Sequence, residues 1–154
     1  DFLKISLPVG AWILLRLITS FCGVFGFSIM FNSPVRLAAT AAGIGAIANT
    51  LRLEMVDMTA IPPAGAAFVG ALTAGILASL IKSKVGYPRI SMTVPSIVIM
   101  VPGMYLYRGF YNLGIMSLGP AASWFASAIL IIAALPLGLI FARILTDETF
   151  RYCT

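Results

Sequence analysis

Five long runs of apolar residues alternate with short polar connections along the chain. The runs cover residues 5–30, 35–53, 61–81, 90–111 and 121–145. A bilayer core of about 30 Å needs about 20 apolar residues per helix, so each run can cross a membrane once. The pattern therefore predicts an all-α integral membrane protein with five transmembrane helices in a single domain, residues 1–154.

The polar connections contain the residues that usually end helices. Residues 32–34 (Asn-Ser-Pro) predict a turn, and the proline pair at 62–63 fits the first turn of the third helix. Residues 112–120 are rich in glycine and predict a loop. In the fifth run, Pro136 predicts a kink, and the many Ile and Leu residues predict exposure to lipid or to a partner chain.

The composition also indicates a chain that is surrounded by lipid. Hydrophobic residues make up 60% and charged residues 10% of the sequence, whereas soluble domains average about 25% charged residues. So few charges cannot cover a surface that faces water. The sequence starts with Asp1, so we expect a processed or trimmed start, and the first run is longer than the apolar core of a signal peptide.

Basic residues are unevenly divided between the two ends of the predicted helices. One end has Arg36, Lys82, Lys84, Arg89, Arg143 and Arg151. The other has Lys4, Arg52, Glu54 and Asp57. Because cytoplasmic connections are enriched in Lys and Arg, the first end is predicted to be cytoplasmic, with the N-terminus outside and the C-terminus inside. This bias explains the net charge of +5, so the charge does not indicate a nucleic-acid partner.

The chain offers little of the chemistry that an enzyme needs. It has no His, and its two cysteines, Cys22 and Cys153, are predicted to be free thiols. All carboxylates fall at or beyond the ends of the predicted helices: Asp1, Glu54, Asp57, Asp147 and Glu148. We therefore expect neither a catalytic site nor a metal site, and no cofactor.

The fourth run contains "VPGMYLYRGF", which interrupts an otherwise apolar helix. Pro102 lacks an N–H group, and Gly103 lets the backbone leave helical geometry, so carbonyl groups near Val98 and Ile99 are predicted to be unpaired. Discontinuous helices bind substrates in transporters, where the new half-helix begins at the ligand. The segment therefore predicts a binding site beginning at Gly103 and including Tyr105, or alternatively a plain kink without a ligand.

Three arginines fall within or near the predicted spans, where a charge is costly. Arg16 is placed near the middle of the first helix, as an anion-binding residue or as a structural partner of a carbonyl or carboxylate. Arg52 follows Asn49 near the end of the second helix, and is predicted to extend to the interface or to pair with Glu54. Arg108 follows the Pro-Gly break and is predicted to attract an anionic substrate.

Small residues recur every fourth position in the third run, as in Ala66-Gly70-Ala74-Ala78. Such stripes let helix backbones approach closely in a membrane. They predict tight packing, or alternatively space for a substrate path.

Four stretches carry a resemblance to a known family: "FNSPVR", "GIGAIANTLR", "AAFVGALTAGIL" and "VPSIVIMVPGMYLYRGF". They resemble the smaller C-terminal membrane module of the threonine/serine exporter family, over nearly the whole chain. The positions that match the family pattern are Asn32, Pro34, Pro102, Gly103, Tyr107, Arg108 and Gly109. Arg16 lies outside that pattern.

The resemblance implies an inner (plasma) membrane exporter of threonine, serine or a related small carboxylate. It also implies proton-gradient drive and a second, larger transporter half, fused or separate, within a hetero- or homo-oligomer. The expected substrate path comprises Pro102, Gly103, Tyr105, Tyr107, Arg108, Arg16 and Asn49. Glu54 and Asp57 are the candidate coupling carboxylates. The alternative is a structural subunit that only stabilises a partner containing the whole path.

Overall fold

The computed structural model describes residues 8–59 and 61–147, and these ranges form helices and short connections without a strand. The helices are α1 (Val9–Met30), α2 (Val35–Met58), α3 (Pro63–Val85), α4 (Arg89–Val98), α5 (Gly103–Gly114) and α6 (Leu118–Thr146). The predicted all-helical class is confirmed.

The helix starts follow the prolines in the sequence. Pro34 and Pro88 directly precede α2 and α4, and Pro63 is the first residue of α3, as predicted. Proline suits these positions because its φ angle is already helical and its missing N–H would have had no helical partner. The turn after α1 is closed by Asn32 at φ 56°, and α3 ends at Gly86 at φ 74°.

The predicted break in the fourth apolar run is also confirmed. α4 ends at Val98 and α5 begins at Gly103. In a continuous helix the Val98 carbonyl would accept a hydrogen bond from residue 102, but Pro102 has no N–H group. The Val98 carbonyl instead accepts the Val101 N–H at 3.2 Å. The Gly103 N–H donates to the Val101 carbonyl at 2.8 Å, so the chain passes from one helix to the next through two tight turns.

α2 is the centre of the helix bundle. It packs against α1, α3 and α4, while α6 packs against α3 and α5. Its contact face is made mostly of small residues: Ala38, Ala41, Ala42, Gly45, Ala46 and Ala48 are all buried. A Cβ atom added at Gly45 would lie 3.1 Å from the Ser96 Cα of α4, so the two backbones are nearly in contact there.

Four segments are long and apolar enough to cross a membrane: Val9–Met30, Pro63–Val85, Arg89–Gly114 and Leu118–Thr146. The third of these is the broken segment that contains α4 and α5. α2 is outside this group because it carries Arg36, Arg52, Glu54 and Asp57. A crossing of the membrane by α2 stays a prediction.

Several predicted boundaries were wrong. α2 continues to Met58 instead of ending at Leu53, so Glu54 and Asp57 lie inside a helix and not in a connection. The predicted loop at 112–120 shrinks to residues 115–117, because α5 reaches Gly114 and α6 begins at Leu118. The start of the first run, Lys4, Arg151 and Cys153 lie outside the described residues.

Candidate functional site

The predicted site residues fall into three places in the structure. Arg16, Glu54, Asp57 and Asn49 lie along the seam between α1 and α2. Pro102, Gly103 and Tyr105 lie at the helix break, next to an arginine that was not predicted to belong to the site. Tyr107 and Arg108 lie on the part of α5 that faces away from the bundle core.

Arg16 is held by two carboxylates at the end of α2. Its guanidinium lies 2.7 Å from the Glu54 carboxylate and also contacts Asp57. The group lines a cavity of about 340 Å³ together with Val9, Trp12 and Met58. One cation and two carboxylates leave one net negative charge when all three are ionised. This arrangement matches the structural alternative for Arg16, and it is a poor attractant for an anion.

Arg16 is also closer to a helix end than predicted. It lies seven residues after Val9, where α1 begins, which corresponds to about 10 Å along a helix. Its carboxylate partners are in the last turns of α2. The ion pairs therefore lie toward one end of the bundle and not in its middle.

Further along the same seam, two buried polar side chains contact each other directly. The Asn49 amide donates to the Ser20 hydroxyl at 2.9 Å, and both residues are buried. The Asn49 side-chain oxygen and the hydroxyls of Thr50 and Ser28 have no hydrogen-bond partner. Buried polar atoms without partners are uncommon in native proteins. In the α1–α2 seam, the Asn49 side-chain oxygen can therefore accept a hydrogen bond from a further donor.

The helix break contacts a partly buried arginine, Arg52. Its guanidinium donates to the Met100 carbonyl at 3.3 Å, and its Nε atom is buried without a partner. Gly70 makes room for the arginine, because a Cβ there would lie 3.2 Å from both the Arg52 Cβ and the Met100 Sδ.

This contact corrects two expectations. Arg52 was expected to extend to the interface or to pair with Glu54, but Arg16 is the residue that binds Glu54. The carbonyl that receives a side-chain donor is that of Met100, and not those of Val98 or Ile99. Both differences arise because Arg52 points toward α3 and α4, whereas Glu54, two residues later, points toward α1.

α5 contributes an aromatic and cationic surface. The Arg108 guanidinium lies 4.8 Å from the ring centre of Trp124 in α6, and the Tyr105 ring meets the same Trp124 ring edge-on at 5.6 Å. Tyr107 is 64% exposed, whereas Gly109 is buried against Phe125. Met104 and Tyr111 of α5 are exposed as well.

The break and Arg52 bring a guanidinium and backbone carbonyl groups close together. A guanidinium binds a carboxylate, and backbone carbonyls at a helix discontinuity can accept hydrogen bonds from an ammonium group. Within residues 8–59 and 61–147, no group of three or more His, Cys, Asp or Glu side chains could hold a metal ion.

Residues 16–145 match the model of a protein family described as "Threonine/Serine exporter, ThrE". This chain belongs to the threonine/serine exporter family. The match extends over most of the chain and includes the helix break, the α1–α2 seam and Arg52. Neither a comparison with curated proteins nor one with solved structures finds a match.

Membership of the threonine/serine exporter family confirms the resemblance found in the sequence. It identifies the chain as a multi-pass membrane protein of transporter type. Arg52 is the residue that the sequence interpretation missed. One signal in the sequence could have found Arg52. It follows Asn49 and Thr50, after a stretch rich in small residues, and this combination indicates polar side chains buried between closely packed helices.

Proposed function

We propose that this chain is a membrane module of an exporter of threonine, serine or a related small carboxylate in the inner (plasma) membrane. It works with a second transporter half and is driven by the proton gradient. Its N-terminus is outside and its C-terminus is in the cytoplasm, in keeping with the basic residues at the ends of α3 and α6.

The observation that carries this proposal is the contact between Arg52 and the broken helix. A partly buried guanidinium lies beside irregular backbone and donates to the carbonyl of Met100, which is fully buried. Irregular backbone at membrane depth is tolerated where it is buried in protein or lines a wet cavity. The Arg52 guanidinium binds the substrate carboxylate, and carbonyls of the break accept hydrogen bonds from the substrate ammonium group.

The rest of the path continues along α5. Pro102 and Gly103 create the break, and the first N–H groups of α5 point toward the substrate. Tyr105, Tyr107 and Arg108 then line the way to the outer surface. Since Tyr107 is largely exposed and α5 packs in this chain mainly on α6, the partner half closes the path on that side.

Proton coupling resides in the group formed by Arg16, Glu54 and Asp57. The group carries one excess negative charge when both acids are ionised, so it can take up one proton and become neutral. The α1–α2 seam connects it, through Asn49 and Ser20, to the interior of the bundle. A proton taken up at this end can therefore change the packing of α1 on α2.

A transport assay in proteoliposomes tests the proposal. The full-length protein is reconstituted with its partner half, and efflux of labelled threonine, serine and a small dicarboxylate is measured with and without a pH gradient. We expect saturable efflux of at least one of these substrates, accelerated by the gradient.

The same assay separates the proposal from a purely structural subunit. If the partner half alone transports at the full rate whenever it is folded, this chain holds no part of the path. Efflux that is independent of the pH gradient would instead remove only the coupling mechanism.

A further inference from the structure

A second polar cavity lies at the far end of α3 from the Arg16 group. It has a volume of about 410 Å³ and lies between the end of α3, the start of α4 and the end of α6. Lys82, Arg89 and Arg143 contribute cationic groups to its wall, and Asp147 contributes a carboxylate. The proposed export path does not use these residues.

Arg89 is the best-placed ligand-binding group in this cavity. Its Nη1 atom donates to the Thr146 hydroxyl at 3.3 Å, which anchors the side chain to α6. Its Nη2 atom is buried and has no hydrogen-bond partner. Gly75 gives this nitrogen its space, because a Cβ there would lie 3.2 Å from Nη2. A buried donor on a charged group is costly to leave unpaired, so an acceptor bound here would be stabilised.

The charge of the cavity favours an anion. Three cationic side chains and one carboxylate give a net charge of +2 (3 − 1). Arg143 is partly neutralised, because its Nε lies 3.9 Å from the Asp147 carboxylate. Lys82 and Arg89 are therefore the main source of positive charge.

The rim of the same cavity is apolar. Ile90 is 66% exposed and Ile140 is 46% exposed, and both line the cavity. Each belongs to a helical segment that is apolar enough to cross a membrane. A ligand in this cavity would thus contact cations on one side and lipid-facing isoleucines on the other.

We infer that this cavity binds the phosphate headgroup of an anionic phospholipid, with an acyl chain along Ile90 and Ile140. Basic pockets between transmembrane helices recognise anionic headgroups in this way. A soluble phosphate would use the same cations but would gain nothing from the apolar rim, so the rim favours the lipid. Binding at this site ties the start of α4 to the ends of α3 and α6.

Native mass spectrometry of the purified full-length protein tests this inference. The probes are phosphatidylglycerol and phosphatidylcholine with identical acyl chains. We expect selective retention of phosphatidylglycerol, and a loss of about 5- to 10-fold in its affinity in Arg89→Gln, in line with the contribution of one basic residue near an anionic headgroup. Lys82→Gln should weaken binding in the same direction.

Lys84→Gln is the matched control. It removes the same charge from the last turn of α3, but Lys84 is exposed and does not line the cavity. Its lipid affinity should equal that of the unmodified protein. Arg89→Lys keeps the charge, so it shows whether a loss of lipid affinity in Arg89→Gln reflects binding or a folding defect. Size-exclusion profiles of all variants check that each one is folded.

A third arm uses inorganic phosphate alone and follows thermal stability. Equal binding of the two lipids, or equal loss in the Arg89 and Lys84 variants, would overturn the inference. Phosphate binding that depends on Arg89 without any preference between the lipids would also overturn it, since the site would then take a soluble anion. None of these outcomes bears on export through the helix break.

Discussion

Replacing Arg52 with Gln removes the positive charge beside the helix break but keeps a side chain that can form hydrogen bonds. The guanidinium donates to the Met100 carbonyl at 3.3 Å, and Met100 itself is fully buried. The substitution therefore leaves that carbonyl without its charged donor. It also removes the group that we propose binds the substrate carboxylate.

The magnitude follows from the kind of bond that is lost. A hydrogen bond to a charged group contributes about 1.5–3 kcal/mol. Because about 1.4 kcal/mol corresponds to a factor of ten in rate, export by Arg52→Gln should fall about tenfold to a hundredfold. Arg52→Lys keeps the charge but loses the planar fork of the guanidinium, so its export rate should lie between those of the Gln variant and the unmodified protein.

The assay is the initial rate of labelled threonine efflux, divided by the amount of protein in the membrane. Arg36→Gln is the matched control, because Arg36 is an exposed arginine on the same helix and far from the break. Export by this control should be unchanged. The normalisation separates a lost binding group from a lost fold.

One result would refute the reasoning. If Arg52→Gln and Arg36→Gln export at the same normalised rate, the guanidinium does not bind substrate. The break would then be a plain kink whose carbonyl is merely stabilised by Arg52. If the Gln variant does not reach the membrane, the export rate of Arg52→Lys tests the same reasoning, since that variant keeps the buried charge.

Two further predictions concern packing and coupling. Gly138→Ala should destabilise the fold by about 1–3 kcal/mol, because a Cβ there would lie 2.5 Å from the Phe68 carbonyl oxygen. Gly26→Ala is the control: a Cβ there would have nothing within 4 Å, and the variant should be stabilised by up to about 1 kcal/mol because alanine has the higher helix propensity. Thermal denaturation in detergent measures both, and equal shifts would contradict the close approach of α3 and α6. Glu54→Gln should abolish the dependence of export on the pH gradient while Asp57 still holds Arg16. Export that keeps its full dependence on the gradient would exclude Glu54 as the coupling group.

The sequence was sufficient for the class of protein and for the helix break. Lipid cannot satisfy backbone hydrogen bonds, so a long apolar run in a membrane must satisfy its own and is therefore expected to be helical. The break was predictable because Pro102, which lacks an N–H group, is followed by Gly103, which lets the backbone leave helical geometry. The family motif lies in the same segment, and its identification from sequence agreed with the family match.

Boundaries and pairings were less accessible to sequence analysis. Predicting the end of α2 at Leu53, before Glu54 and Asp57, missed five helical residues. Both carboxylates have an ion-pair partner in Arg16. Nothing in local sequence indicates that an arginine from another helix is within reach. α6 continues through Pro136, and the kink expected there stays a prediction.

The sequence by itself determined that this protein is a helical membrane protein, and where one of its helices is interrupted. Those properties depend on the hydrophobicity of the side chains and on the backbone chemistry of individual residues such as proline and glycine. Only the tertiary structure decided which arginine serves which site. Arg16 and Arg52 have the same chemistry, but one faces two carboxylates and the other faces a broken helix. Which neighbour each side chain meets depends on how α1, α3 and α4 pack around α2, and that packing is set by small residues far away in the sequence.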